Sequence, residues 1–476
     1  MMTRSQLVGR WLGAAACAGL MASPTLNAAP SPSGALKVAS RATALCGPGD
    51  NPEPGMQGET PLADLEAGET ARPYVCGMHI VGKLDPWGRG ENFNLKRSRQ
   101  CAYVHGSGER KGIAVIDASD PRAPKALGLL DTPGAVGGSE TMDVIDVGER
   151  HLLVAGNYSG GVKPPGPAPL DIYDISDCTQ PKLITTFYWP ANIHVPKISP
   201  DGKRVYASRE YGTDGVMILD ISDPAKPFYM GEFPLVLPGG KAQRCHDMWI
   251  NAEQTRLICA GSVPMIEARK GDSAPSIWDI SQVGSDKPEW PTIKFVGTSD
   301  IRGQGDHHAP LLRVRGRQYL VAANELRCTA FPRIFDMTNE KALRMVGEFR
   351  LEANDRCLED AAWAKANAAG SYGLHYNAVV DDAWGSVALG MFSFMGSGVR
   401  IVDLRDPTHP REVAYYHPGA TDAPSPLGPL AGKTDSCMSI NSFVPETGHI
   451  WFTCRSGFYI AELSQKVRSY LGINMQ

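Results

Sequence analysis

GVRIVDLRDP, residues 398–407, is a short apolar strand that ends in an acidic residue and runs into a turn. Similar stretches recur along the chain, and in each the strand ends at an acidic side chain. The acidic residues are Asp117, Asp174, Asp220, Asp279, Asp336, Asp403 and Glu462. Their spacing of 46 to 67 residues is the range for one four-stranded blade of a β-propeller. The sequence therefore predicts an all-β fold, a seven-bladed β-propeller.

The last repeat lacks a fourth strand, because the residues after GFYIAEL (457–463) do not resemble one. The segment PYVCGMHIVGKL (73–84) does resemble the fourth strands PFYMGEF (227–233) and REVAYYH (411–417). An open sheet edge would leave a row of N–H and C=O groups unpaired. We therefore predict that the N-terminal strand completes the seventh blade and closes the ring, so that the propeller comprises residues 72–476.

The first residues indicate export. Arg4 and Arg10 precede an apolar run, WLGAAACAGLMA (11–22), which is followed by small residues near Ala29. The run is too short to span a bilayer, so residues 1–29 are predicted to be a cleaved signal peptide and the protein to be periplasmic or secreted. A lipoprotein anchored at Cys17 is the alternative. Residues 30–71, which are rich in Ser, Pro and Gly, are predicted to form a linker.

Charge and cysteine content exclude some classes of partner and indicate how the cysteines are used. The formal net charge is −4 without a basic run, so neither nucleic acid nor an anionic membrane surface is predicted as a partner, and no membrane span is expected. Ten of the 11 cysteines remain after loss of the signal peptide, and this even number favours disulfides. Cys437 and Cys454 flank the turn PETG and are candidates to pair across one hairpin. The absence of any CxxC pair disfavours a thiolate metal site.

Alignment of the first strand of every repeat identifies one position at the mouth of the central channel. The residues at this position are Glu91, Glu140, His194, His246, His308, His375 and Ser439. Four of the 11 histidines of the chain thus fall on one equivalent position in four consecutive repeats. In the fifth repeat a shift of one residue would exchange His308 with His307.

Imidazoles that converge from adjacent strands form the donor set that a late first-row metal needs. The sequence predicts one transition metal ion, Fe, Cu, Mn or Zn, held by His194, His246, His308 and His375. Glu91 and Glu140 are expected to hydrogen-bond these imidazoles or to ligate the metal, and His307 is a further alternative ligand. Asp247 and Asp306, which lie beside these histidines, are candidates to orient them. The competing interpretation is that the histidines line a wet channel and bind ordered water.

The repeats also carry a family resemblance. The segments GVRIVDLRDPTHPREV (398–413), GVMILDISDPAKPFYM (215–230) and GIAVIDASDPRAPKAL (112–127) resemble the LVIVD-repeat family of secreted and surface β-propellers. This resemblance extends from about residue 73 over nearly all of the chain, and it implies architecture but no activity. In ring composition alone, the predicted site is similar to carotenoid cleavage oxygenases, which hold iron by four histidines, and to selenium-binding-type methanethiol oxidases.

Taken together, these features predict a metal-dependent oxidoreductase that oxidises or oxygenates a small organic molecule. Two other classes stay open. A propeller without catalysis would use its loops to bind or to scaffold a protein, peptide or glycan. A hydrolase would use the channel metal to activate water.

Overall fold

The computed structural model shows a succession of antiparallel β-sheets joined by turns. It describes residues 44–68, 72–107, 110–137, 140–157, 167–209, 215–240, 242–262, 274–283, 292–299, 301, 306–325, 328–366, 372–381, 387–419 and 435–473. The predicted signal peptide and Cys17 lie outside these residues. Within them, the strands fall into seven consecutive groups, and an all-β propeller fold is thereby confirmed.

The first four groups each contain four antiparallel strands, and short pairings between neighbouring groups join the third, fourth and fifth into one 13-stranded sheet. The first group is β3 (Asn92–Ser98), β4 (Cys101–Gly106), β5 (Gly112–Asp117) and β6 (Lys125–Leu130). The second is β7 (Met142–Val147), β8 (Arg150–Gly156), β9 (Ala168–Asp174) and β10 (Lys182–Trp189). The third is β11 (Ile193–Ile198), β12 (Arg204–Arg209), β13 (Gly215–Asp220) and β14 (Phe228–Val236). The fourth is β15 (Ala242–Ile250), β16 (Arg256–Ser262), β17 (Ser276–Asp279) and β18 (Lys294–Ser299).

The remaining groups follow the same order with local changes. In the fifth, the first strand is divided in two, giving β19 (Asp306–His308), β20 (Leu311–Val314), β21 (Arg317–Asn324), β22 (Pro332–Asp336) and β23 (Ala342–Glu348). The sixth is β24 (Leu374–Val380), β25 (Leu389–Phe394), β26 (Gly398–Asp403) and β27 (Arg411–His417). The seventh is β28 (Ser442–Val444), β29 (His449–Cys454) and β30 (Gly457–Leu463). The helices are α1 (Leu62–Ala67), α2 (Glu352–Glu359), α3 (Ala361–Ala366) and α4 (Gln465–Leu471).

The repeated acidic residue has a structural role at the end of the third strand. Asp220 accepts a hydrogen bond from the backbone N–H of Ser222 at 2.7 Å, two residues further on. The same bond forms at Asp117, Asp174, Asp279, Asp336 and Asp403. A short side chain that caps its own backbone in this way stabilises a turn. The motif that reveals the repeats therefore fixes the turn between the third and fourth strands.

Apolar side chains fill the space between neighbouring groups. On β8, Leu153 packs toward the first group, whereas Val154 packs toward the third, because successive side chains of a strand point to opposite faces. Comparable clusters join the later groups in turn. One further cluster joins the seventh group to the first and includes Trp451 and Ile116. Each sheet is thus buried on both faces by its neighbours.

The N-terminal segment supplies the fourth strand of the seventh group. The strand predicted over residues 73–84 is divided at Gly77 into β1 (Tyr74–Cys76) and β2 (Met78–Leu84). β2 pairs antiparallel with β30, from Met78 opposite Leu463, whereas β1 pairs with β27 of the sixth group. Gly77 has a φ of 67°, and a Cβ there would lie 2.7 Å from the carbonyl oxygen of Val413. Glycine therefore allows one segment to pair with two sheets.

Residues of the predicted linker bind the sixth group from residue 44 onward. Asn51 bridges to Val75, and the buried carboxylate of Glu53 pairs with Arg400. Five disulfides connect the described cysteines, and they include the pair Cys437 and Cys454 that the sequence suggested. The pairs are Cys46–Cys76, Cys101–Cys178, Cys245–Cys259, Cys328–Cys357 and Cys437–Cys454. Disulfides in this number are typical of proteins of an oxidising compartment. Among the described residues, none of the helices has the length and apolar character needed to cross a membrane.

Candidate metal centre

Four histidines share one local feature, a β-bulge in the first strand of their group. In each case the pairing register with the second strand shifts at the histidine. The histidines are His194 in β11, His246 in β15, His307 in β19 and His375 in β24. A bulge leaves one extra residue outside the ladder and re-aims its side chain. The repeated bulge thus directs one imidazole from each of four consecutive groups toward a common point.

The Nε2 atoms of these histidines surround the carboxylate of Glu140, which precedes β7. His194 Nε2 lies 3.1 Å from Oε2 of Glu140, and His375 Nε2 lies 3.2 Å from Oε1. The Nε2 atoms of His246 and His307 lie 4.0 Å and 3.9 Å from Oε2. His194 Nε2 and His246 Nε2 are 2.7 Å apart.

A second carboxylate comes from Glu325, which follows β21. Its Oε2 lies 3.7 Å from His307 Nε2, and its Oε1 lies 3.5 Å from His375 Nε2. We call the set of His194, His246, His307, His375, Glu140 and Glu325 the His/Glu cluster. Its side chains differ in exposure: 1% for His307 and His375, but 27% for Glu325 and 14% for His246. The cluster therefore opens to solvent on the side of Glu325 and His246.

The other ring nitrogen of three histidines is hydrogen-bonded to the backbone of the next group. Nδ1 of His246 donates to the carbonyl oxygen of His307 at 3.1 Å, and Nδ1 of His307 donates to that of His375 at 2.8 Å. Nδ1 of His375 donates in turn to the carbonyl oxygen of Met438 at 2.9 Å. Since a carbonyl can only accept, each Nδ1 carries the proton. In its neutral form, each of these imidazoles therefore directs an Nε2 lone pair into the cluster.

Two atoms of the cluster are buried without a hydrogen-bond partner, Oε2 of Glu140 and Nε2 of His307. Oε2 lies close to His194 but not in hydrogen-bonding geometry with it. Buried polar atoms are nearly always satisfied in folded proteins, and an exception calls for a bound ion or water. Lone pairs on nitrogen and oxygen that face one another also repel unless a proton or a cation lies between them. The arrangement therefore fits a bound cation.

Burial and neighbouring charges set the pKa values of the cluster. Burial lowers the pKa of His246 to about 4, with a further contribution from His194, and it holds the pKa of His307 well below its usual range. Burial also acts to lower the pKa of His375, but hydrogen bonds to Glu140 and Glu325 outweigh it and raise this pKa to about 10. For Glu140, burial raises the pKa, but the imidazoles of His194 and His375 outweigh it and hold the pKa well below its usual range. At pH 7 Glu140 is thus ionised, and His246 and His307 are neutral and able to ligate. His375 is protonated while it faces the two carboxylates alone, so a metal would have to displace its Nε2 proton.

The structure brings together four of the residues that the sequence singled out, His194, His246, His375 and Glu140. His308 does not join them. Its Nε2 lies 3.0 Å from Oδ2 of Asp247, and its Nδ1 lies 2.9 Å from Oδ1 of Asn377, so both nitrogens are engaged elsewhere. His307, the alternative that the sequence offered, lies in the cluster in place of His308, because the bulge in β19 shifts the inward position by one residue. Asp247 orients His308, as its position beside the histidines suggested.

Two other residues of the aligned position lie away from the cluster. Glu91 pairs with Arg455 at 3.3 Å and accepts a hydrogen bond from Ser107. Ser439 donates to Asn441 at 3.0 Å. The second carboxylate beside the imidazoles is that of Glu325 and not that of Glu91. Alignment of first strands could not find Glu325, because it follows the second strand of its group.

Comparison with known proteins gives one family match and several similar folds. A family model described as the LVIVD repeat matches residues 211–234, so the LVIVD repeat suggested by the sequence is present in the third group. No curated protein matches the chain. The β-propeller domain of Cps50 (Swd1) from Myceliophteria thermophila is 10% identical, with a TM-score of 0.48, over 81% of this chain and 100% of that one. A putative 6-phosphogluconolactonase from Bacteroides fragilis is 13% identical, with a TM-score of 0.47, over 74% and 85%. The C-terminal WD40 domain of Sif2 is 10% identical, with a TM-score of 0.48, over 81% and 98%.

Proposed function

We propose that this chain is an exported β-propeller that binds a transition metal at the His/Glu cluster and there oxidises or oxygenates a small organic molecule. The observation that carries the proposal is the pair of buried, unpartnered atoms, His307 Nε2 and Glu140 Oε2, at a point on which three further imidazoles converge. Imidazole with carboxylate is a donor set for Fe, Cu, Mn and Zn. A metal held there would supply an open coordination position for dioxygen or substrate.

The surroundings support a small organic substrate. Phe93 packs edge-on to His375, with ring centroids 5.4 Å apart, and Tyr376 packs against His375 at 4.6 Å. These two rings line one side of the cluster, whereas Glu325 and His246 face the solvent side. A substrate would therefore enter past Glu325 and meet the cluster from the exposed side. The five disulfides support folding in the periplasm or outside the cell.

Metal analysis of the full chain, exported to the periplasm, tests the proposal. We expect at least one Fe, Cu or Mn ion per chain and loss of most of the metal in the variant His246→Ala, because this change removes one ligand while apolar packing keeps the sheets in place. The matched control is His151→Ala, since His151 pairs with Asp146 away from the cluster. Protein without metal would overturn the proposal and favour a binding or scaffold propeller. Zinc as the bound metal would overturn the oxidative reaction and favour hydrolysis.

A further inference from the structure

We propose that Tyr376 is a catalytic residue, whose hydroxyl donates a hydrogen bond to an anion or a substrate oxygen in the open coordination position of the His/Glu cluster. The inference rests on the proposed function, because it requires that the cluster bind metal. It assigns a role to a side chain that is not itself a ligand.

The ring of Tyr376 lies against the cluster and is fully buried. Its centroid is 4.7 Å from that of the His307 ring and 4.6 Å from that of the His375 ring. The imidazole of His308, which is not part of the cluster, packs nearly perpendicular to the same ring at 5.1 Å. Contacts with three imidazoles therefore hold the phenol beside the proposed metal position.

The hydroxyl group of Tyr376 is buried and has no hydrogen-bond partner. Burial raises the pKa of Tyr376 well above its usual range, and the charge of Glu140 adds more to this shift than that of Asp247 or Glu325. Because an electrostatic interaction weakens with distance, the hydroxyl lies on the side of the ring that faces Glu140. At pH 7 a phenol carries its proton, so the hydroxyl is a hydrogen-bond donor.

Three buried atoms without a hydrogen-bond partner thus lie in or beside the cluster, the hydroxyl oxygen of Tyr376, Oε2 of Glu140 and Nε2 of His307. A cation would satisfy the lone pairs of Glu140 and His307, but it cannot accept a hydrogen bond from a hydroxyl. The hydroxyl needs an acceptor of its own. A ligand in the open coordination position, such as an anion or a substrate oxygen, has the lone pairs that it needs.

Packing alone does not account for a tyrosine at this position. Burial of a hydroxyl without a partner destabilises a fold, whereas phenylalanine would make the same ring contacts without that cost. We therefore expect the metal-free variant Tyr376→Phe to unfold at a temperature no lower than that of the unaltered chain, as calorimetry measures. A clear decrease would mean that the hydroxyl stabilises the fold itself, and it would overturn the inference.

Azide binding tests the hydrogen bond. The full exported chain is loaded with Cu²⁺, and azide is titrated while the charge-transfer absorption of azide on Cu²⁺ is followed. The variant Tyr376→Phe should bind Cu²⁺ with unchanged stoichiometry and affinity, because Tyr376 is not a ligand. It should bind azide about tenfold or more weakly, because it lacks the donor to a charged acceptor.

The matched control is Tyr372→Phe. Tyr372 is also fully buried with an unpartnered hydroxyl, but its ring stacks on Trp363 of α3 at 5.7 Å and packs in a cluster with Cys357. This variant loses the same chemical group at a place away from the metal, so it should bind azide as the unaltered chain does.

The remaining outcomes separate this inference from the proposed function. Equal azide affinity in Tyr376→Phe and the unaltered chain, equal weakening in Tyr372→Phe, or no azide binding to the Cu²⁺-loaded unaltered chain would overturn the inference and leave the metal site standing. Loss of Cu²⁺ from Tyr376→Phe would show that the phenol is a ligand, and it would likewise overturn the inference. An unaltered chain that binds no Cu²⁺ would overturn both proposals, since sites of this kind bind Cu²⁺ most tightly.

Discussion

His307 and His308 are neighbours in β19, yet their side chains have different surroundings. His307 presents a buried, unpartnered Nε2 to the His/Glu cluster, whereas both nitrogens of His308 are bound by Asp247 and Asn377. Adjacent residues of a strand point to opposite faces, so a shift of one residue exchanges their surroundings. The sequence left these two histidines as candidates for the inward-facing position of the fifth group, and only the bulge in β19 distinguishes them.

The buried carboxylate of Glu53 links the N-terminal residues to the sixth group through an ion pair. The carboxylate pairs with Arg400 and lies 2.6 Å from Nδ1 of His417, and both of these partners are fully buried. Burial raises the pKa of Glu53, but Arg400 and then His417 outweigh it and lower the pKa to about 2. The folded state therefore favours the ionised carboxylate.

The variant Glu53→Gln should be less stable at pH 7 by about 3 kcal/mol or more, because it leaves Arg400 without its full countercharge. The pKa shift also predicts a pH dependence. Glu53 has a pKa of 4.5 in the unfolded chain and about 2 in the fold, so its stabilisation is present above pH 4.5 and is lost as the pH falls toward 2. Urea unfolding between pH 7 and pH 3 measures both effects. The variant should lose less stability across the acid range than the unaltered chain.

Glu149→Gln, a change at an exposed loop residue, is the control and should follow the pH curve of the unaltered chain. Parallel pH curves for Glu53→Gln and the unaltered chain would contradict the assigned role of Glu53.

Among the elements, the first strands of the third to sixth groups carry the site because each contains a bulge at its histidine. The recurring turn motif and the alignment of the repeats located these strands, because both are local patterns that recur along the chain. A bulge interrupts the regular pairing of a strand, and no particular residue type marks its position in the sequence. Alignment of strands therefore identified three of the four histidines that meet at Glu140, and in the fifth group it identified His308 in place of its neighbour His307.

The strand β2 should be essential to the fold, because it covers the edge of β30. We expect a chain that begins at Trp87 to unfold at a markedly lower temperature than one that begins at residue 44, since removal of β2 leaves a row of backbone groups unpaired. A chain that begins at residue 73 and carries Cys76→Ser separates this effect from loss of the earlier residues. Calorimetry compares the three forms. Equal unfolding temperatures for the chains that begin at 73 and at 87 would show that β2 is dispensable.

At the scale of the whole molecule, the side chains of the His/Glu cluster come from five consecutive groups, the second to the sixth. A metal bound there would hold these sheets to one another at the channel, in addition to the apolar clusters that join them pairwise. Because an ion that binds only the folded state shifts the folding equilibrium, metal binding should stabilise all five groups together.

Addition of metal at about 100 times its dissociation constant should stabilise the metal-free protein by about 2.7 kcal/mol. Hydrogen exchange followed by mass spectrometry should show slower exchange in the first strands of the third to sixth groups at once. The variant His246→Ala should show little of this protection. Protection confined to a single group would mean that the metal binds elsewhere than at the common point of the strands.

The sequence by itself determined the repeat, the turns and the residue types available for chemistry. These are local properties, because a short apolar strand followed by an aspartate that caps its own turn has the same signature wherever it occurs. Tertiary structure alone decided which of two adjacent histidines faces the cluster, and that Glu325, from another strand, completes it. Those outcomes depend on a one-residue shift in strand pairing and on the approach of residues far apart in the chain. Neither can be recognised from the neighbouring residues in the sequence.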